Sequence, residues 1–332
     1  MTKLSVLDLA PITEGSDAGQ SFKNSVEVAQ TAEKLGYERY WLAEHHNIPG
    51  IASAATAVLL AHVGAHTRSI RIGSGGVMLP NHAPLIIAEQ FGTLASLYPG
   101  RIDLGLGRAP GTDGLTAQAL RRTLSGSVDM FPRDVMELQQ YFADPAPGQK
   151  VVAVPGAGLN VPIWILGSSL YGAELAAHFG LPYAFASHFA PADLRQALFV
   201  YRQNFRPSAQ LDRPYVMVAM NLMAADTREE AELIATSMMQ TVLALVRGAP
   251  VKLPPPVKGF ADGLSPQEHA AISRFMTCIA LGDRTDVRDS LLKFKKETAA
   301  DEIILSAQIY DHKARLRALE IAADAMEALA DD

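Results

Sequence analysis

The residues with the most chemical capacity stand in short polar or glycine-rich runs, each directly after an apolar stretch. Glu44–His45–His46 is one. Neighbouring residues of a strand point to opposite sides, so only one histidine faces a ligand and the pair does not clasp one metal ion. A neutral imidazole titrates near working pH, which suits proton transfer. Gly75–Gly76 sits inside an apolar run. Glycine there marks either a bulge or the close approach of something flat to the backbone. Arg108 follows Gly105 and Gly107, whose missing side chains leave room for a ligand. A guanidinium forks two bonds onto a phosphate, or it closes a salt bridge at a rim. Ser168 and Ser169 lie between an apolar run and an expected helix start. Free N–H groups and the helix dipole favour an anion there, and the hydroxyls either add donors or cap the helix. Together these runs describe a mouth for a flat, phosphate-bearing cofactor with one histidine beside it.

Such residues need elements that bring them to one place. Apolar runs are expected as strands at residues 4–12, 39–46, 70–79, 101–108, 163–169, 183–189, 215–225 and 302–309. Amphipathic stretches between them read as helices, from residue 21 to 36 and over 53–67, 84–98, 128–142, 171–179 and 192–205. Thr227 with Glu230 reads as a capping box for a long helix, and Leu316, Leu319, Ala323 and Met326 form the stripe of a last one. Runs such as Ile163 to Leu166 are apolar on both faces, as in parallel strands covered by helices. Eight βα units close most simply into a (β/α)8 TIM barrel, with a doubly wound open sheet as the competing fold. A single domain over 1–332 is expected, with insertions in βα loops at about 145–160 and 249–264. In a barrel the ends of the strands carry the function, which puts His45, Gly75, Gly76, Arg108, Ser168 and Ser169 at one mouth; the sixth expected strand ends near His188. The ends of the last two strands, at Asp226 and Asp311, lack glycine and carry an acid, so an anion is poorly served there.

Composition narrows the classes. The 332 residues are 48% hydrophobic and carry a formal charge of −6, so disorder is excluded and no general pull toward nucleic acid is expected. No apolar stretch is long enough for a spanning helix, and the N-terminus does not read as a secretory signal. The one cysteine, Cys278, excludes an intramolecular disulfide and is expected to pack in a helix. A cytoplasmic, soluble protein is the expectation. His62 and His66 are four apart on a helix without the glutamate of a zinc-protease motif, and the other histidines show no ligand-like grouping, so no metal site is expected. Gly105–Leu106–Gly107 lacks the third glycine and the acid of a dinucleotide fold.

The chain resembles the bacterial luciferase-like flavin monooxygenases, in particular a single-chain, non-luminous branch. The resemblance runs from Leu4 to the C-terminus, on the segments Tyr40 to His46, Gly73 to Pro80, Glu89–Gln90, Pro99 to Arg108 and Leu166 to Ser169. It implies a barrel that takes reduced FMN at its C-terminal mouth and uses O2 to oxygenate a small substrate such as an aldehyde. His45 matches the family's acid/base beside the flavin. Gly75–Gly76 matches a non-prolyl cis peptide under the ring. Arg108 matches the arginine that holds the phosphate, and Ser168 and Ser169 the pair whose backbone amides grip it. Gly107 stands where luciferase has a cysteine, which leaves more room and counts against a luminous reaction. The resemblance further implies a homodimer and a separate flavin reductase. The loops after the fourth and seventh strands are mainly apolar or small, which suggests an apolar substrate. A deazaflavin (F420)-dependent hydride transfer on the same barrel, a non-catalytic flavin-binding protein acting as store or sensor, and a metal-dependent hydrolase are the competing readings.

Overall fold

In the computed structural model, which describes residues 2–109, 111–120 and 130–330, the apolar runs form β1 (Lys3–Asp8), β2 (Arg39–Leu42), β3 (Arg71–Met78), β4 (Ile102–Gly107), β5 (Ile163–Gly167), β6 (Tyr183–Phe185), β7 (Val216–Ala224), β8 (Ile279–Gly282) and β9 (Glu302–Ser306). All pairings are parallel, and the ring runs β1–β2–β3–β4–β5–β6–β7–β9 before β9 returns to β1. An open doubly wound sheet would leave two free edges; the ring leaves none, so this is a (β/α)8 barrel. The helices are α1 (Ala18–Lys34), α2 (Thr56–His66), α3 (Pro84–Leu97), α4 (Gly114–Leu120), α5 (Phe131–Phe142), α6 (Leu170–Phe179), α7 (Leu194–Asn204), α8 (Arg228–Val246), α9 (Pro266–Phe275), α10 (Arg284–Thr298), α11 (His312–Ala323) and α12 (Met326–Ala330), of which α4 buries no residue.

The core has two parts because strand side chains alternate. On β2, Tyr40 and Leu42 join the large cluster shared with the helices, while Trp41 joins Leu7, Trp164, Met217, Ala219 and Ile304 inside the barrel. Trp41 and Trp164 meet edge to face at 5.0 Å, a favoured aromatic geometry. Beneath them the barrel is plugged by charge. Arg39 is buried and donates to Glu302 Oε1 at 2.7 Å and to Asp103 Oδ2 at 2.6 Å, tying β2 to β9 and β4.

Several sequence expectations are corrected. The strands stop earlier than expected, at Asp8, Leu42 and Phe185. Beyond Asp8 a side chain takes over, since its own carboxylate accepts the Ala10 N–H at 2.7 Å. Beyond Leu42 and Phe185 single backbone bonds continue, from Ala43 N to Asp8 O and from Ala186 N to Gly167 O, without a regular ladder. A ninth strand, β8, was not anticipated. It pairs only with Asn221–Ala224 of β7, because β7 has nine residues and β9 partners only Met217–Asn221. Residues 145–160 precede β5 rather than follow a strand, so they lie at the end of the barrel away from the strand C-termini. Residues 249–264 do reach the mouth side, since Leu253 bonds to the loop after β1: its N–H donates to Ile12 O at 2.9 Å and it accepts from Glu14 N at 2.8 Å. Cys278 is in the turn before β8, not in a helix, and burial pushes its thiol up to about 11. The expected helix start at 128 lies outside the described residues; α5 is described from Phe131. Among the described residues no helix is long and apolar enough to cross a membrane.

Candidate active site

The mouth is built upward from Trp41. A Cβ on Gly75 would stand 2.9 Å from Trp41 Cε3 and from Leu7 Cδ1, and one on Gly76 would stand 2.8 Å from the Gly105 carbonyl oxygen. The Gly75–Gly76 peptide is cis. The β3–β4 register shifts between Ser74 and Val77, which is the bulge that glycine in a strand interior can mark. Ser74 bridges the irregularity: its Oγ donates to Gly105 O at 2.9 Å and accepts from Gly105 N at 3.0 Å. The room expected from Gly105 and Gly107 is taken by protein. Their Cβ positions fall 2.2 Å from Ser74 O and 2.7 Å from Met78 Sδ.

His45 continues the inward side of β2, whose Trp41 and Ala43 line the barrel interior. Glu44 takes the other side and is buried. Its carboxylate accepts from His46 Nε2 at 2.8 Å, His82 Nε2 at 2.9 Å, the Met78 N–H at 2.9 Å and Asn81 Nδ2 at 3.3 Å. Burial pushes this carboxyl up, but those donors, His82 foremost, outweigh it and hold it below its usual range. Glu44 thus welds the end of β2 to the loop after β3. The loop after β4 closes over both: His46 N–H donates to Gly111 O at 3.3 Å, and Thr112 Oγ donates to His46 O at 3.0 Å. Gly111 has φ +66° and its Cβ position lies 2.9 Å from Glu44 O, so only glycine serves there. Burial lowers the His45 imidazole below its ordinary value, partly offset by a hydrogen bond to the Gly111 backbone and by the Glu44 charge.

Arg108 directly follows β4, and Ser168 and Ser169 directly follow β5, its neighbour in the ring. The Arg108 guanidinium stacks on Tyr171, in the first turn of α6, with Cζ 3.9 Å from the ring centroid. Among the described residues it makes no ion pair. Stacking holds the guanidinium plane while leaving its in-plane N–H donors available. Ser169 is the N-cap of α6, yet its side chain makes no capping bond. Neither the rim salt bridge nor the plain cap is therefore present. By contrast, Asp311 caps α11 through Ala314 N at 2.8 Å and Asp226 pairs with Arg317 at 2.7 Å, so the last two strand ends of the ring are engaged by protein.

Sequence reasoning missed Tyr171 and Gly111, whose roles exist only through partners distant in the chain. It also noted His188 as a strand end without giving it a task. Burial pushes His188 down to about 4, with the His45 charge adding to the effect, so the two imidazoles are electrostatic neighbours. Among the described residues no group of three or more His, Cys, Asp or Glu is placed to hold a metal ion.

The model of the luciferase-like monooxygenase family matches residues 2–302. A luciferase-like monooxygenase of Escherichia coli (strain K12) is 55% identical over 325 residues, spanning 98% of this chain and 97% of the relative. The N-acetyl-S-alkylcysteine monooxygenase of Bacillus subtilis (strain 168) is 30% identical over 334 residues, with 98% of each covered. The crystal structure of apo-MsnO8 superposes with a TM-score of 0.87 at 34% identity, covering 98% of this chain and 99% of that one.

Proposed function

The chain belongs to the luciferase-like monooxygenase family, and on that premise we propose that it is an FMN-dependent monooxygenase that oxygenates a small, mainly apolar substrate such as an aldehyde. The observation that carries the reading is the Arg108–Tyr171 stack beside the uncapped start of α6. A guanidinium with free donors, next to helix N–H groups that no side chain satisfies, fits a terminal phosphate. When bound, reduced FMN supplies the electrons that activate O2.

The chain's own residues do the rest. Arg108 and the backbone amides of Ser168 and Ser169 hold the phosphate. The backbone at Gly75–Gly76 forms a wall without side chains for the flat ring. His45 holds or releases a proton at its ring nitrogen, and Glu44 fixes the backbone that carries it. Residues 249–264, anchored through Leu253, help exclude water from the mouth. Reduced flavin comes from a separate reductase in this reading. A homodimer belongs to the same reading.

Replacing Arg108 with Ala tests the phosphate seat. A charged hydrogen bond contributes about 1.5–3 kcal/mol, so FMN affinity should fall roughly 10- to 100-fold while riboflavin affinity stays within about twofold. Equal loss for both ligands overturns the assignment. Tighter binding of F420 than of FMN by the parent protein replaces the cofactor with the deazaflavin.

A further inference from the structure

The connection from β6 to α7 carries an imidazole that the reading above leaves unused. His188 Nδ1 is buried and has no hydrogen-bond partner among the described residues. The backbone around it is held firmly. Ser187 Oγ donates to Ala219 O at 2.6 Å and accepts the Ala219 N–H at 3.1 Å. Asn221 Nδ2 donates to the carbonyl of His188 itself at 2.7 Å and to that of Phe275 at 3.0 Å. A buried polar nitrogen on a fixed backbone, with nothing to bond, is a costly arrangement unless a ligand meets it.

Its place in the ring says where that ligand lies. β2 and β6 are opposite staves, four positions apart in the eight-strand order, and the imidazoles that follow them, His45 and His188, are close enough for the charge of one to act on the other. The groups assigned to the flavin ring and phosphate follow β3, β4 and β5, with His45 after β2, and none follows β6. His188 therefore addresses a side of the mouth that the phosphate seat does not use. The next residue, Phe189, is 44% exposed, and its ring meets the His188 ring edge-on at 5.0 Å. His45 is the one charge-bearing group acting on His188, so neither a carboxylate nor a guanidinium opposes or recruits an ion there.

We propose that His188 and Phe189 form the organic-substrate subsite of the mouth: His188 Nδ1 hydrogen-bonds an uncharged carbonyl, hydroxyl or amide group, and Phe189 packs against the apolar chain that bears it. The proposal rests on the flavin reading only for the identity of the neighbouring occupant. Burial keeps this imidazole neutral at pH 7, which fits a neutral partner and not a carboxylate.

The test uses FMN-loaded protein titrated with 1-octanol, 2-octanone and octanamide, with octanoate as the charged control. Binding is followed by isothermal titration and by the NMR signals of the His188 ring, assigned with His188→Asn. At least one uncharged probe should bind saturably, shift the His188 ring signals, and bind at least tenfold tighter than octanoate. His188→Leu should weaken that probe at least tenfold and leave FMN affinity within about twofold. His188→Asn, which keeps a hydrogen-bonding group, should recover part of the loss and serves alone if the leucine variant does not fold. The subsite is refuted if no uncharged probe moves the His188 signals, if octanoate is preferred, or if neither variant weakens the probe. Failure of the parent to bind FMN refutes the flavin reading instead; the probe titration is then run on the flavin-free protein under the same criteria.

Discussion

Glu44 and His188 show two ways of burying a polar side chain. The Glu44 carboxylate collects donors from three side chains and one backbone amide, so its burial is fully answered. His188 keeps a nitrogen unanswered, and the consequence is measurable as a pH dependence. Its folded value of about 4 lies below the ordinary histidine value of 6.5. Between those values the unfolded chain binds a proton that the folded chain refuses, so stability falls as pH drops from about 6.5 to about 4 and then levels. From pH 7 to pH 5 this contributes a loss of about 2 kcal/mol. Urea unfolding of flavin-free protein at the two pH values checks it: His188→Gln should lose about that much less than the parent, and equal losses would refute the shifted imidazole. At this scale the sequence was informative about position: His45, Arg108, Ser168 and Ser169 were expected just after strands, and they follow β2, β4 and β5. Tyr171 was silent because an aromatic in a helical stretch reads as packing until Arg108 is seen lying on it. Gly107 misled for the matching reason: an absent side chain says nothing about which neighbour, here Met78, fills the space.

The elements depend on side chains wherever their ladders are interrupted. Between Ser74 and Val77 the β3–β4 register slips, and the buried Ser74 hydroxyl supplies one donated and one accepted bond to Gly105 in place of the missing rungs. Ser74→Ala leaves both Gly105 groups unsatisfied and should cost about 2–4 kcal/mol. Chemical denaturation checks this, and a change under about 0.5 kcal/mol would show that the latch is not needed. Strand interiors were legible because runs apolar on both faces have few other uses, but their ends were not. Past β6 the side chains of Ser187 and Asn221 take up backbone groups of Ala219 and His188, with nothing in the local pattern to announce it. β8 was invisible for a different reason. Its four residues are only half buried in alternation, too short a signal to separate from the turn before it.

For the molecule as a whole, the alternation of strand and helix pointed to two architectures, and long-range pairing decided between them. The register of Lys3 with Glu302 and of Met217 with the same Glu302 joins the two ends of the ring. Arg39 reinforces that closure from inside, binding Glu302 and Asp103 with its guanidinium also 4.8 Å from the Trp164 ring centroid. Removing one member of a buried ionic set strands the others, so Arg39→Leu should destabilise the barrel by about 3–5 kcal/mol. The loss should appear in unfolding of every probe at once, because the ring is one cooperative unit; unfolding confined to the helices near β2 would contradict it.

β7 outlasts its partner in the ring. β9 uses it up to Asn221, and β8 takes the stretch from there to Ala224. Residues 249–264 are tied to the loop after β1 through Leu253, but β8 beyond them is moored to a length of strand that plays no part in keeping the cylinder shut. Descendants of this sequence are free to lengthen, trim or exchange that appendage, and so to retailor the chamber above the opening, while the vessel beneath stays as it was.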